Sequence, residues 1–240
     1  MQFDTEVIEV IKRTTDVKSV RLRRPIEFDY IPGQWASIIL SSDNTQKIKP
    51  LSFSSSPTED FLEVTKRLTG HEFSNAFDAL NIGDSVSVRG PYGNLTFRGE
   101  YGKVCMLSGG IGITPLRSMI RYSADRNLKT NIILLYSNRF EDSIAFKDDF
   151  DAILERNANF KLIITITGPI KSWKGFTGRI NLEMIKKIVP DYADRVFYTC
   201  GPRPMVDAMT IILTKMGLTK EQIKYEYFTG YLGAPELQSS

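Results

Sequence analysis

The chain changes rhythm once, close to residue 101, and that change limits what it can fold into. Before it, short alternating or apolar runs are separated by turn residues. These runs are Phe3–Lys12, Val17–Leu22, Trp35–Leu40 after Pro32-Gly33, Leu51–Ser55, Phe61–Arg67 and Ser85–Arg89, the last followed by a Gly90-Pro91-Tyr92-Gly93 turn. Period-two alternation bounded by glycine and proline reads as strands and turns. One short helical patch, Ser74–Leu80, interrupts them. Half a dozen strands at this spacing predict a small antiparallel β-barrel.

After Tyr101 the pattern becomes strand, helix, strand, helix. Lys103–Leu107, Thr130–Tyr136, Phe160–Thr167, Arg195–Thr199 and Ile223–Phe228 read as strands, with Pro115–Arg126, Ile144–Arg156, Asn181–Val189 and Met205–Met216 as the helices between them. This alternation predicts a C-terminal α/β unit with a parallel sheet and helices on both faces. The boundary is expected at Glu100-Tyr101-Gly102, which divides the chain into 1–100 and 101–240.

Composition narrows the chemistry. Thirty-one basic residues against 28 acidic ones leave a net charge of +3, too little to make nucleic acid the main partner. There is one histidine, His71, and there are two cysteines, Cys105 and Cys200. That inventory excludes a His-rich zinc site and an all-cysteine zinc or iron–sulfur centre within the chain. It also supplies no disulfide framework, so a reducing, cytoplasmic setting is expected. Met1–Val10 carries Asp4, Glu6 and Glu9 and lacks the order of a signal peptide. No run approaches the 18 or so apolar residues of a membrane span, and no membrane insertion is expected. Redox chemistry in such a chain would have to come from an organic cofactor.

Four segments could carry chemistry. Ser108-Gly109-Gly110-Ile111-Gly112-Ile113-Thr114-Pro115 lies between a strand and a helix, where close backbone approach and a helix N-terminus suit a pyrophosphate. It is not the full dinucleotide fingerprint, because Pro115 replaces the third glycine, and a plain tight turn is the other reading. Pro115 is expected as the first helical residue. Tyr198-Thr199-Cys200-Gly201-Pro202 also ends a strand, at the edge where ligands collect in open α/β sheets. Cys200 there is either a neighbour for a ligand ring or a small core residue, whereas Cys105, inside a strand, belongs to the core. Lys49-Pro50-Leu51-Ser52-Phe53-Ser54-Ser55-Ser56-Pro57 offers a cation and alternating hydroxyls, and reads equally as a solvated edge strand. Gly70-His71-Glu72-Phe73-Ser74-Asn75 opens the short helix, either as an anion cradle or with Ser74 as an ordinary N-cap; His71 is expected in solvent.

In their order and spacing these segments resemble the ferredoxin–NADP reductase superfamily, over residues 4 to 228 or so. Lys49-Pro50-Leu51-Ser52 resembles the flavin strand, and Phe73-Ser74-Asn75 the flavin-phosphate loop. Gly90-Pro91-Tyr92-Gly93 is similar to the Gly-Pro-x-Gly turn. Gly109–Pro115 is similar to the nicotinamide-side glycine loop, Cys200-Gly201-Pro202 to its Cys-Gly-Pro, and Glu226-Tyr227-Phe228 to the terminal Glu-x-aromatic. The resemblance implies a flavin-binding barrel followed by a nicotinamide-binding domain, with hydride transfer from NADH or NADPH to FAD. FMN is the lesser choice. Electrons would then leave singly for a separate acceptor such as ferredoxin.

It further implies site residues. Ser52, Cys200, Glu226 and Phe228 (or Tyr227 for the aromatic cover) would act at the reacting rings. Lys49, Pro50, Leu51, Phe53, Ser54, Val64, Lys66, Phe73 and Ser74 would surround the flavin. Gly110, Gly112, Thr114, Pro115, Arg139, Gly201 and Pro202 would meet the nicotinamide nucleotide. Two departures stand out: Lys49 replaces an arginine and Leu51 a tyrosine, which implies looser flavin binding. Thr167-Gly168 stands where NADPH-selective relatives carry Ser-Arg, which favours NADH, with Arg139 as another possible contact for a 2′-phosphate. The rival roles are an electron-transfer subunit of a larger complex and a non-catalytic interaction module. No cysteine follows Cys200, so the cluster of one iron–sulfur relative is missing. Gly230-Tyr231 hints at a tail that folds over the flavin.

Overall fold

The computed structural model describes residues 1–42, 45–170 and 172–228. The expected tail fold at Gly230-Tyr231 therefore lies outside the described residues.

Six antiparallel strands form the first layer: β1 Gln2–Lys12, β2 Val17–Arg23, β3 Trp35–Ser42, β4 Thr45–Ser52, β5 Phe61–Arg67 and β6 Ser85–Tyr92. Their order is β4-β3-β6-β1-β2-β5. A single antiparallel bridge, Phe53 to Val64, joins the two outer strands and curls the sheet into a barrel. Phe53 and Val64 therefore point into a core with Leu22, Ile38, Leu62 and Val88. Helix α1, Glu72–Asp78, caps that core with Phe73 and Phe77.

The second layer is parallel. Strands β7 Lys103–Gly109, β8 Asn131–Asn138, β9 Phe160–Ile166, β10 Phe176–Thr177, β11 Val196–Gly201 and β12 Ile223–Tyr227 lie in the order β10-β9-β8-β7-β11-β12. Helices α2 Ile113–Asp125, α3 Lys147–Leu154, α4 Leu182–Ile188 and α5 Arg203–Lys215 cover its two faces. Central strand β7 shows why both faces are needed. Val104 and Met106 enter one buried cluster, and Cys105 and Leu107 enter the other. A strand apolar on both sides is stable only between two layers. Cys105 is fully buried, as expected, and burial raises its thiol pKa far out of the reactive range.

Several boundaries differ from expectation, each for a local reason. Strand β4 begins at Thr45, six residues before Leu51, and ends at Ser52. Its lysines and Pro50 hide the periodicity, and such residues are tolerated because β4 is a sheet edge. Ser54, Ser55 and Ser56 leave the strand and are completely buried, not solvated. Gly90, Pro91 and Tyr92 continue β6 instead of forming a separate turn. Ser74 is not an N-cap; that position belongs to exposed His71, while the Ser74 hydroxyl accepts the Thr69 N–H at 2.8 Å. Pro115 is the third residue of α2, not the first. It remains harmless there, since the first four helical N–H groups have no intrahelical partner. Among the described residues, no helix is long and apolar enough to cross a membrane.

A chain of buried charges fastens the two layers together. Arg117 on α2 is 1% exposed and reaches Glu59 of the barrel and, at 2.6 Å, Asp149 on α3. Asp149 also meets Arg13, just beyond β1, at 3.0 Å, and Arg13 meets the fully buried Glu63 of β5 at 2.8 Å. Arg117 Nη1 donates to the Ser54 carbonyl at 3.0 Å, and the Ser118 hydroxyl donates to the Ser55 carbonyl at 2.6 Å. Buried charges are tolerated only when paired in this way.

Candidate active site

A cavity of about 140 Å³ opens where the layers meet. The barrel contributes Trp35, Lys49, Pro50, Leu51, Ser52 and Thr65; the glycine loop and α2 contribute Ile111 and Thr114; the end of β12 contributes Glu226, Tyr227 and Phe228. Sequence-expected Lys49, Pro50, Leu51, Ser52, Thr114, Glu226 and Phe228 are thus brought together. Strand ends deliver them: β4 stops at Ser52, and Phe228 follows β12, its N–H held by the Gly201 carbonyl at 2.8 Å.

Charge at the cavity is organised. Lys66 lies next to Lys49, and its ammonium pKa falls to about 8, first through burial and then through the Lys49 charge. The Lys66 ammonium donates to the Arg67 carbonyl at 3.1 Å, and of the two lysines Lys49 is the one that lines the cavity. On the opposite side, the Glu226 carboxyl rises to about 7 because burial disfavours its charge. The Trp35 indole, on the same cavity wall, partly offsets that rise.

The glycine loop lies beside the cavity. A Cβ on Gly112 would stand 2.3 Å from the Cys200 carbonyl oxygen, so only glycine lets the two motif loops touch. Cys200 is 0% exposed, and its thiol donates to the Gly112 carbonyl at 3.1 Å. It belongs to the buried cluster under the loop and does not line the cavity. Burial raises its pKa well above the usual thiol value. The Tyr136 hydroxyl fixes the loop from below through the Gly110 carbonyl at 3.0 Å.

Other expected residues lie elsewhere. Phe53, Val64 and Phe73 are barrel core, since the side-chain direction they adopt faces inward. The Ser54 hydroxyl is engaged with Glu63 Oε1 at 2.9 Å and Thr65 Oγ1 at 2.7 Å. Gly109 and Pro202 line a second groove of about 410 Å³ on the other side of the glycine loop, with Ser137, Thr167, Arg179 and Met205. Arg139 is exposed just beyond β8, its guanidinium over the Phe140 ring at 5.2 Å.

Trp35, Thr65, Ile111, Arg67 and Arg179 were not singled out by the sequence. Arg67, at the end of β5, comes within 3.0 Å of where a Cβ on Gly110 would stand. It therefore brings a barrel cation over the glycine loop. The run Val64-Thr65-Lys66-Arg67 carried a signal, two cations closing an apolar strand, but not its destination.

This combination, a barrel with paired cations joined to a parallel sheet with a glycine-lined carboxyl edge, is that of a two-domain flavin and nicotinamide oxidoreductase. The family profile for an oxidoreductase FAD-binding domain matches residues 4–97, and that for an oxidoreductase NAD-binding domain matches residues 106–210. The chain belongs to the ferredoxin reductase family. It is 32% identical over 231 residues to the glycine betaine monooxygenase reductase subunit of Pseudomonas aeruginosa, covering 92% of this chain and 63% of that relative. It thus spans under two-thirds of the length of that curated relative. A solved ferredoxin reductase in carbazole 1,9a-dioxygenase is 25% identical, with a TM-score of 0.83 over 95% of this chain and 69% of its own. The fold alone is shared with a ferredoxin NADP+ reductase from Neisseria gonorrhoeae with bound FAD and NADP: 20% identity, TM-score 0.82, covering 94% and 98% of the two chains.

Proposed function

We propose that this chain is a flavin-dependent NAD(P)H oxidoreductase that passes electrons to a separate iron–sulfur protein, as the reductase component of a multicomponent system. One observation carries the reading: the cavity joins the Lys49–Ser52 end of β4 to Thr114 and to the Glu226–Phe228 end of β12. Residues 1–100 would form the flavin unit and 101–240 the nicotinamide unit, in a cytoplasmic protein. FAD would supply the conversion of a two-electron donor into a one-electron source.

Each protein group has a defined task. Lys49 and Lys66 hold the flavin phosphates, and Lys49 does so as a point charge in place of a two-pronged grip. The Ser52 hydroxyl orients the ring edge. Glu226, with a pKa near neutrality, holds or releases a proton beside that edge. The cavity is well below the roughly 300–1,000 Å³ of a typical ligand pocket, so Phe228 and Tyr227 act as covers that swing aside. The groove beside Gly109 and Pro202 takes the remainder of the nicotinamide nucleotide. Cys200, buried beneath, sets the height of the glycine loop and so positions the ligand. NADH is the favoured donor, with Arg139 and Arg179 within the region a 2′-phosphate would occupy.

The name of the Pseudomonas relative favours an oxygenase as the final consumer of electrons. The test is anaerobic. Flavin absorbance bleached by NADH or NADPH, and restored by an oxidised two-iron ferredoxin, supports the proposal. A colourless chain that ignores added FAD favours the interaction module instead.

A further inference from the structure

Thr65 lines the inner cavity from β5, yet it is only 3% exposed and its hydroxyl is already engaged. Its Oγ1 lies 2.7 Å from the hydroxyl of Ser19, its register partner on β2, and 2.7 Å from the hydroxyl of Ser54. Beyond these two serines stand Arg13 and Glu63. Arg13 Nε donates to Ser19 Oγ at 2.9 Å, Arg13 Nη2 donates to Glu63 Oε2 at 2.8 Å, and Ser54 Oγ donates to Glu63 Oε1 at 2.9 Å. Arg13, Ser19, Thr65, Ser54 and Glu63 thus close a ring of hydrogen bonds. Of these side chains, Thr65 alone lines the cavity.

The ring has a direction, because a guanidinium only donates and a carboxylate only accepts. The Ser54 proton goes to Glu63, whose carboxylate and main-chain carbonyl both lie within 3.1 Å of Ser54 Oγ. Ser54 Oγ then has to receive the Thr65 proton, and Thr65 Oγ1 that of Ser19. Ser19 Oγ in turn receives the Arg13 Nε–H. Each hydroxyl gives one proton and takes one. Ser19, Ser54 and Glu63 are 0% exposed, and an unpaired polar atom at such a place costs about 1–3 kcal/mol, which enforces the order.

We propose that this ring makes Thr65 an acceptor-only contact in the cavity, which selects a hydroxyl of the flavin's ribityl chain and turns away carbonyl and phosphate oxygens. Ser54, Ser19 and Arg13 are positioning residues that act through Thr65. The assignment rests on the flavoenzyme reading above. Toward the cavity Thr65 can show a methyl group and one unused lone pair, never a proton. In a flavin nucleotide the ring carbonyls and the phosphates are acceptors, whereas the ribityl chain between them carries hydroxyls. With Ser52 at the ring edge and Lys49 at the phosphates, the cavity between them takes that chain. Ser54, expected from the sequence to touch the flavin, acts on it one side chain removed.

The test is flavin binding by the full chain, stripped of cofactor and followed by fluorescence titration. The probes are FAD and FAD analogues in which one ribityl hydroxyl is replaced by hydrogen or by fluorine. For the native chain, replacement at one ribityl position should weaken binding about 3- to 10-fold, equally for hydrogen and fluorine, since neither supplies a proton. Thr65→Val keeps the shape of the side chain and should bind FAD and that pair of analogues alike. Ser54→Ala frees the Thr65 proton and should favour the fluorine analogue over the hydrogen one; a merely structural role for Ser54 would leave the two equal. Thr65→Val with the native discrimination overturns the assignment. So does a native chain that treats FAD and every analogue alike, or that prefers fluorine to hydrogen, even if both variants fail to fold; the flavin reading then still stands. A native chain that binds no FAD overturns the flavoenzyme reading and the assignment with it.

Discussion

The Cys200 thiol and the Gly112 carbonyl meet at 3.1 Å, and through that contact the two motif loops of the parallel sheet become one unit. Gly112 has an ordinary helical φ, so its need for glycine is one of space, not backbone strain. Gly112→Ala should therefore cost about 1–3 kcal/mol, the usual penalty for overpacking. Thermal unfolding would record this as a fall of several degrees. Unchanged melting would show that the Cys200 loop yields to a methyl group.

Arg117 should be the most costly single cation to remove. Arg117→Met leaves Glu59 and Asp149 facing each other with their shared partner gone, a loss of about 3–5 kcal/mol in urea titration. Burial opposes the charge on Asp149, but Arg117 and then Arg13 outweigh it and hold its carboxyl below the usual range. A depressed carboxyl stabilises above its unfolded pKa of about 4, and that stability is lost as pH falls. The deficit of the variant should thus be largest near neutrality and shrink toward pH 3.

Little of this ion chain was legible in the sequence. Arg13 and Asp149 are 136 residues apart, and Arg117 and Glu59 are 58 apart. No local pattern marks such partners. By contrast, both sheets and the principal helices were read from periodicity, and the ends of β4 and β12 were singled out through the family resemblance. What failed was local: β4 lost its signature because an edge strand need not alternate, and Ser54 and Ser55 looked solvated because they meet partners on α2 and β5, while Ser56 is held by Thr58 and Glu59 of its own loop. Trp35 stayed hidden for the same reason as Arg117, since Glu226, which lines the same cavity, arrives from the other end of the chain.

Glu226 gives a stability signature of the opposite sign. Its folded pKa, about 7, lies above the unfolded value. The folded state therefore binds more protons, and stability declines as pH rises between about 4.5 and 7. Glu226→Gln should remove that decline. Allowing for partial exposure, the variant should gain on the order of 1–2 kcal/mol over the native chain at pH 8, and almost nothing at pH 4. Denaturation curves at those two values decide the matter.

Flavin retention should follow the lysine pair. If Lys49 and Lys66 hold the flavin phosphates as proposed, Lys49→Gln should weaken FAD binding roughly tenfold, the equivalent of about 1.4 kcal/mol. Equilibrium dialysis against FAD measures it. Lys49→Arg should tighten binding, since a guanidinium can offer two parallel hydrogen bonds. Near-equimolar FAD surviving prolonged dialysis of the native protein would contradict the looser grip ascribed to Lys49 and Leu51.

The donor of electrons and the ring that receives them would lie on separately folded layers, and reaction between two bound molecules tolerates misplacement of only fractions of an ångström. Arg117 and Ser118 grip the carbonyls of Ser54 and Ser55, immediately beyond the end of β4 that lines the cavity. Helix α2, whose first turn also lines that cavity through Thr114, is thereby gauged against the flavin strand at close range. Registration between the two halves is set by a few residues beside the cavity.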